Sequence, residues 1–220
     1  MKRPDIDLSE KNIVPMLETG YLNVYDLRYA PGRHYYDASR RKKGDIVCLK
    51  DDEAAKAMTP DAVSCVVVLK VKGEEPRLLM SYEFRYPAGR FMLGVPAGLI
   101  DPADRALPDP ILTAAAREIH EETGIEIKET DTLRVLNPFL FSTPGMTDES
   151  NALVLAVVEM EDLSALTQAG AETTECFAGF ELLTKETARQ ALETGRDKFG
   201  NFYSMYTWAG LMVFACDMWK

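Results

Sequence analysis

The sequence predicts an α/β protein, with a larger α/β domain over residues 61–220 and a small β appendage over residues 1–60. Three observations lead there. The run Ser64-Cys65-Val66-Val67-Val68-Leu69 is β-branched and continuously apolar, as in a strand covered on both faces. A stretch of helical periodicity bounded by Asp109-Pro110 and Gly124 interrupts the strand-like segments. The first 60 residues are richer in charge and tyrosine than the rest, with Tyr21, Tyr25, Leu27 and Tyr29 on alternate positions.

Taken in order, that alternation suits a half-exposed strand, and a second short strand is expected over residues 45–49. The turn between them holds Arg40-Arg41-Lys42-Lys43-Gly44. In an acidic chain we read it as a solvated loop rather than as a patch for phosphate or an acidic partner. Residues 77–84 follow the apolar run across Lys72-Gly73-Glu74-Glu75-Pro76, a turn composition, so the two strands form a hairpin. Another apolar stretch over residues 91–95 ends at Pro96-Ala97-Gly98, and a proline-rich loop continues to Asp109. Asp109 suits the N-cap and Pro110 the first helical position, where a missing N–H costs nothing. Gly124 is the usual residue just past a helix end. Strands resume over residues 133–136 and 152–158. A second helix is expected from Thr184 to near Gly195. A last one falls within residues 202–219, where Ser204, Thr207, Gly210 and Asp217 favour a core-packed helix over a membrane span.

Composition narrows the function. The 220 residues carry 25 Lys+Arg against 35 Asp+Glu, a net charge of −10, so nucleic acid is not an expected partner, because phosphate-backbone binding needs a basic surface. Hydrophobic residues at 46% and charged residues at 27% exclude the disordered and fibrous classes. The cysteines, Cys48, Cys65, Cys176 and Cys216, lie far apart without a C-x-x-C spacing and read as buried thiols in a reducing compartment. Met1-Lys2-Arg3-Pro4-Asp5 lacks the apolar run of a signal peptide. The expected location is the cytoplasm, away from the membrane.

The most informative segment is Arg117-Glu118-Ile119-His120-Glu121-Glu122-Thr123-Gly124-Ile125. At about 100° per residue, Ile111, Leu112, Ala115, Ala116 and Ile119 form one apolar arc, and Glu118 and Glu122 fall at its edge. Those two carboxylates should face the protein. Glu118, Glu121 and Glu122 are also neighbours at spacings of three and four, where like charges cost roughly 0.2–0.5 kcal/mol per pair. Arg117 can pair with Glu121, but on the helical wheel it points away from the arc and does not serve Glu118 and Glu122. A metal ion answers the remaining repulsion, and an all-oxygen donor set selects a hard divalent cation such as Mg²⁺. His120 lies away from arc and glutamates and reads as a surface histidine.

These residues resemble the Nudix hydrolases, whose signature reads G-x5-E-x7-R-E-U-x-E-E-x-G-U with U a bulky aliphatic residue. Gly98 supplies the opening glycine, and Arg117 to Ile125 match the second half at every position. Two departures are visible: Asp109 stands at the first acidic position, and 10 residues (99–108) separate it from Gly98 where the family has 5. The flanks are most similar to ADP-ribose pyrophosphatases and related nucleotide-sugar diphosphatases, through Glu83-Phe84-Arg85-Tyr86-Pro87, Val95-Pro96-Ala97-Gly98-Leu99-Ile100-Asp101 and Ser142-Thr143-Pro144-Gly145-Met146-Thr147-Asp148-Glu149. Gly94 stands where that subfamily commonly has a glutamate.

The resemblance implies a Nudix α/β/α sandwich with a mixed sheet, and an N-terminal appendage through which the chain forms a homodimer. It implies hydrolysis of a nucleoside diphosphate sugar, ADP-ribose to AMP and ribose 5-phosphate, with GDP-mannose or another nucleotide sugar as the near alternative. A non-catalytic ligand-sensing module is the alternative of a different class. Glu118, Glu121 and Glu122 with the Ala97 carbonyl would hold Mg²⁺, or Mn²⁺ in its place. Arg117 would orient Glu121, and Glu149 would be the general base, with Asp148 as its substitute. Arg85 would contact the diphosphate, with Gly98 and Gly145 in the turns that meet the substrate.

Overall fold

A computed structural model describes residues 4–171 and 174–220; the reading of Met1, Lys2 and Arg3 lies outside the described residues. The chain divides into two units, Met1–Asp61 with Phe139–Asn151, and Ala62–Pro138 with Ala152–Lys220.

In the first unit, β1 (Ile13–Glu18), β2 (Asn23–Ala30) and β3 (Arg33–Ser39) form an antiparallel sheet in that order. Its small core is Ile13, Tyr25, Leu27 and Ile46. Tyr25 and Leu27 are buried as the alternation expects, whereas Tyr21 precedes the strand and is exposed. β1 was not anticipated: it contains Pro15, tolerable on an edge strand, and its register shifts between Pro15 and Leu17. Nor was β3, whose Arg33-His34-Tyr35-Tyr36 start is exposed throughout and lacks a two-residue period. The strand expected over residues 45–49 is absent. Two 3-10 turns, Lys43–Asp45 and Val47–Leu49, flank the buried Ile46, and the Val47 N–H donates to Asp148 Oδ2 at 3.0 Å instead of to a ladder. A one-turn helix, α1 (Asp52–Lys56), is capped by Asp51, which accepts from the Ala54 N–H.

The basic run is not the solvated loop expected. Arg41 is buried, with Nη2 2.8 Å from Asp61 and Nη1 3.3 Å from Asp148, and Arg40 pairs with Glu149 at 2.5 Å. A buried guanidinium persists because several acceptors share its charge, and Ser150 Oγ and the Asp148 carbonyl supply two more.

The larger sheet consists of β4 (Ala62–Val71), β5 (Arg77–Arg85), β6 (Arg90–Gly94), β7 (Ala97–Leu99), β8 (Thr132–Phe141), β9 (Ser150–Met160) and β10 (Phe177–Leu183), all in the second unit except the last residues of β8 and the first two of β9. The strand order is β10-β5-β4-β9-β8, with β6 on β5 and β7 on β4. β4 and β5 are antiparallel, while β4 and β9 run in one direction, since Asp61 N–H meets Ser150 C=O at one end and Lys72 N–H meets Met160 C=O at the other. The sheet is therefore mixed. β4 is buried on both faces, as its composition predicts. Val63, Cys65, Val67 and Leu69 point to one face, where α3 (Pro110–Thr123) packs Ala114, Ala115 and Ile119 on them. Val66 points to the other face, against which α5 (Met205–Ala215) lies so closely that a Cβ on Gly210 would meet Val95, Met80 and Val66. Between β10 and α5 lies α4 (Lys185–Thr194), capped by Thr184 and ended by Gly195 as expected.

This is the α/β/α sandwich. Two further expectations need correction, and one strand is new. The 99–108 loop is not open chain: its middle is a helical turn, α2 (Pro102–Arg105), closed by the reciprocal Asp101 and Asp104 bonds of a capping box. β10 was not foreseen. Of the four cysteines, none of them in a disulfide, only Cys65 is fully buried, and Cys176 and Cys216 are exposed. Among the described residues, no helix is long and apolar enough to cross a membrane.

Candidate active site

The second unit gathers most of the candidate residues where α3 meets β7. Pro110 starts the helix and Gly124, at φ +75°, ends it, its N–H donating to His120 O. Asp109 occupies the N-cap but makes no side-chain capping bond. The helix presents Glu118 and Glu122 inward, at 7% and 3% exposure, and leaves His120 exposed.

Burial dominates the electrostatics of both acids. Desolvation pushes Glu118 up to about 7, with Arg117 opposing and the Glu121 and Glu175 charges adding to the rise. Glu122 is pushed up to about 9, again by burial first, with Glu175, Glu118 and Glu83 adding. Its one counterweight from the backbone is the Ala97 N–H, which donates to Glu122 Oε1 at 3.1 Å. Gly98 makes this proximity possible, because a Cβ there would collide with the Glu118 carboxylate.

Arg117 reaches further than its helical position suggests. Nη1 donates to Glu118 Oε1 at 2.8 Å and to Glu121 Oε2 at 2.9 Å; Nη2 donates to Leu99 O and Asp104 Oδ2, each at 2.9 Å. The expectation that Arg117 does not serve Glu118 is thus overturned: a four-bond guanidinium stem bends back where the wheel shows only the Cα direction. The buried Asp104, which the sequence reading does not single out, tethers the 99–108 segment to α3 through this arginine. Its signal was available in Asp101-Pro102-Ala103-Asp104, a capping-box spacing with proline at the first helical position. A second missed acid is Glu175, just ahead of β10, whose charge acts on Glu83, Glu118 and Glu122. Thr174-Glu175-Cys176 carries no motif that would have found it.

Arg85, at the end of β5, lies 2.5 Å from Glu83 with half its side chain exposed. Glu149 and Gly145 belong to the first unit. There Glu149 pairs with Arg40, the Gly145 carbonyl accepts from the Tyr35 hydroxyl at 2.8 Å, and Asp148 is held by Arg41 and the Val47 N–H.

Among the described residues, no three His, Cys, Asp or Glu side chains already stand as a group that could hold a metal. Glu118 and Glu121 are tied to Arg117 and Glu122 to the Ala97 N–H. The donor chemistry nevertheless fits a hard cation: two buried carboxylates, Glu118 and Glu122, share one helix face beside a glycine that leaves them room.

A mixed sheet between helices, with a glycine turn set against a helix bearing buried acids, defines an α/β/α sandwich with a carboxylate-lined site. The chain belongs to the NUDIX domain family, whose model matches residues 58–201. Members of that family generally use divalent metal ions. It is similar to an ADP-ribose pyrophosphatase of Saccharomyces cerevisiae, 34% identical over 123 residues, 54% of this chain and 49% of that protein. It is also similar to an ADP-ribose pyrophosphatase of Mycobacterium tuberculosis, 34% identical over 91 residues, 41% of this chain and 39% of that protein. The alignments thus span under half the length of these relatives. A crystal structure of an ADP compounds hydrolase shares the fold at a TM-score of 0.55 and 17% identity, covering 100% of this chain and 95% of that one.

Proposed function

We propose that the protein hydrolyses the diphosphate bridge of a nucleoside diphosphate sugar, ADP-ribose being the preferred substrate and AMP and ribose 5-phosphate the products. The observation that carries this is the pair of buried carboxylates, Glu118 and Glu122, gathered on one helix face against Gly98 as an all-oxygen donor set of the kind a hard divalent cation takes. Relatives named as ADP-ribose pyrophosphatases support the substrate class.

In this reading Glu118, Glu121, Glu122 and the Ala97 carbonyl hold Mg²⁺, with Mn²⁺ as the replacement. The ion supplies charge neutralisation for the diphosphate and a more acidic water. Arg117 holds the Glu121 and Glu118 carboxylates in place through its two Nη1 bonds. Arg85 contacts the diphosphate through the guanidinium edge not used by Glu83, and Gly98 and Gly145 let the backbone approach the substrate. Glu149 accepts the proton of the attacking water on a carboxylate oxygen, Asp148 being its substitute. A homodimer in the cytoplasm is the proposed state, the homodimer supported by the exposed Met16, Leu17, Tyr35 and Tyr36 of the N-terminal sheet.

The test is a panel of nucleoside diphosphate compounds incubated with Mg²⁺ or with EDTA, with products identified. We expect ADP-ribose to be cleaved in Mg²⁺ only, and Glu122→Gln to abolish turnover while the far-UV spectrum and melting transition are kept. Preference for GDP-mannose would reassign the sugar, and no turnover of any compound would favour the ligand-sensing module. Comparing Glu149→Gln with Asp148→Asn tests the base: the true base loses kcat by about 10²–10⁴-fold, the usual contribution of a positioned proton acceptor.

A further inference from the structure

The β2–β3 hairpin carries a polar arrangement that the hydrolytic reading does not use. Asp26 on β2 is buried, at 5% exposure, and both its oxygens are occupied. His34 Nδ1 lies 2.9 Å from Oδ1 and 3.0 Å from Oδ2, and Arg28 Nε donates to Oδ2 at 2.8 Å. The Arg28 bond, against the opposing effect of burial, holds the Asp26 carboxyl below its ordinary range. A fixed carboxylate that takes the inner nitrogen of each group leaves the Arg28 Nη nitrogens and His34 Nε2 without a hydrogen-bond partner among the described residues. Both side chains are about half exposed, at 53% and 44%.

With Arg33 they line a cleft of about 400 Å³, together with Asp7, Asn12 and Tyr29. That volume is within the range of small-ligand sites. The acid on the lining, Asp7, is already engaged: its Oδ1 accepts from the Ser9 N–H at 3.1 Å and Lys11 stands 3.3 Å away. The surrounding sequence is also less acidic than the chain as a whole, residues 1–61 carrying 11 Lys+Arg against 11 Asp+Glu. Asp26 offsets the charge of Arg28 and Lys11 that of Asp7, so Arg33 leaves the wall of the cleft net positive.

We propose that this cleft binds a phosphate group, as inorganic phosphate or a small phosphomonoester, between the guanidinium groups of Arg28 and Arg33 and the imidazole of His34. Guanidinium forks match phosphate oxygens in pairs, and a carboxylate that holds Arg28 by Nε alone keeps that fork open. The binding claim is independent of the hydrolytic reading. Should that reading also hold, both products are phosphomonoesters, and the cleft is where the chain senses them.

The test titrates the full chain in EDTA with inorganic phosphate, AMP and adenosine at constant ionic strength, by calorimetry and by imidazole ¹H–¹⁵N spectra. The chain has two histidines, so a His120→Gln variant assigns the His34 signal. We expect inorganic phosphate and AMP to bind and adenosine not to, with the His34 ring signal moving in step. Arg28→Ala and Arg33→Ala should each weaken binding roughly tenfold or more, as loss of a charge-assisted bond does. Arg33, exposed and outside the Asp26 network, guards against a result that merely reflects misfolding. AMP binding without phosphate binding, binding that survives both substitutions, an unmoved His34 signal, or no saturation at tens of millimolar would each overturn the proposal.

Discussion

Arg41 shows what a single residue does in this chain that no local pattern announces. Its guanidinium pairs with Asp61 and Asp148 and donates to Ser150, so removing it leaves two largely buried carboxylates without their counter-charge. Arg41→Met should lower the unfolding free energy by about 3–5 kcal/mol, read from urea midpoints, whereas a surface arginine such as Arg33 replaced by alanine should change it by about 0.5 kcal/mol or less. Asp37 belongs to the same cluster. Burial, then the charge of Asp148, raises its carboxyl from 3.8 to about 6, against the pull of the Asp148 N–H and Arg41. Between those values the native state binds the proton that the unfolded chain releases, so this group's contribution to stability is full near pH 4 and is lost as pH rises to about 6. Asp37→Asn should flatten that slope, by roughly 1–3 kcal/mol between pH 4 and 7, while its side-chain oxygen still accepts the Asp148 N–H. Denaturation series of both proteins across that range check it; parallel curves would count against the assignment.

At the scale of elements, legibility follows range. The helix α3 was readable because its period, its proline start and its glycine end all lie within one stretch of sequence. β3 and β10 were not, since their pairing partners are chosen across the sheet and their own residues carry no apolar alternation. The box acids were readable for the same reason as the helix, while Asp104 and Glu175 reach the site through tertiary placement. What fixes the last turn of α3 is also non-local. The Thr167 N–H donates to Thr123 O at 3.0 Å, a Cβ on Gly124 would collide with Thr167 and the Ala165 carbonyl, and a Cβ on Gly170 would stand 2.8 Å from Glu121 O. Gly170→Ala must therefore push the helix turn or the 163–171 segment aside, at about 1–3 kcal/mol, visible as a lower melting temperature. Gly98→Ala acts differently. Its Cβ meets a side chain that can swing away, so we expect a folded protein in which the Glu118 carboxylate has moved and turnover has fallen roughly 100-fold, the effect of an ångström-scale misplacement.

For the whole molecule, the acid-rich site makes stability and cation binding one measurement. Two carboxylates held in a poorly hydrated niche oppose folding until a cation joins them, and an ion that binds only the folded chain adds RT ln(1 + [L]/Kd) to its stability. At a hundredfold excess over Kd that is about 2.7 kcal/mol, or roughly 5–10 °C for a chain of this size. Mg²⁺ or Mn²⁺ should raise the melting temperature of the protein by that order, and EDTA should reverse it. Glu122→Gln should keep the melting temperature seen in EDTA, because a neutral amide still accepts the Ala97 N–H, yet lose the cation-dependent gain. Ca²⁺ and K⁺ at matched ionic strength separate site binding from general screening of the net charge of −10. An equal gain from every salt, or a gain undiminished in Glu122→Gln, would place the cation effect at the acidic surface and away from the α3 carboxylates.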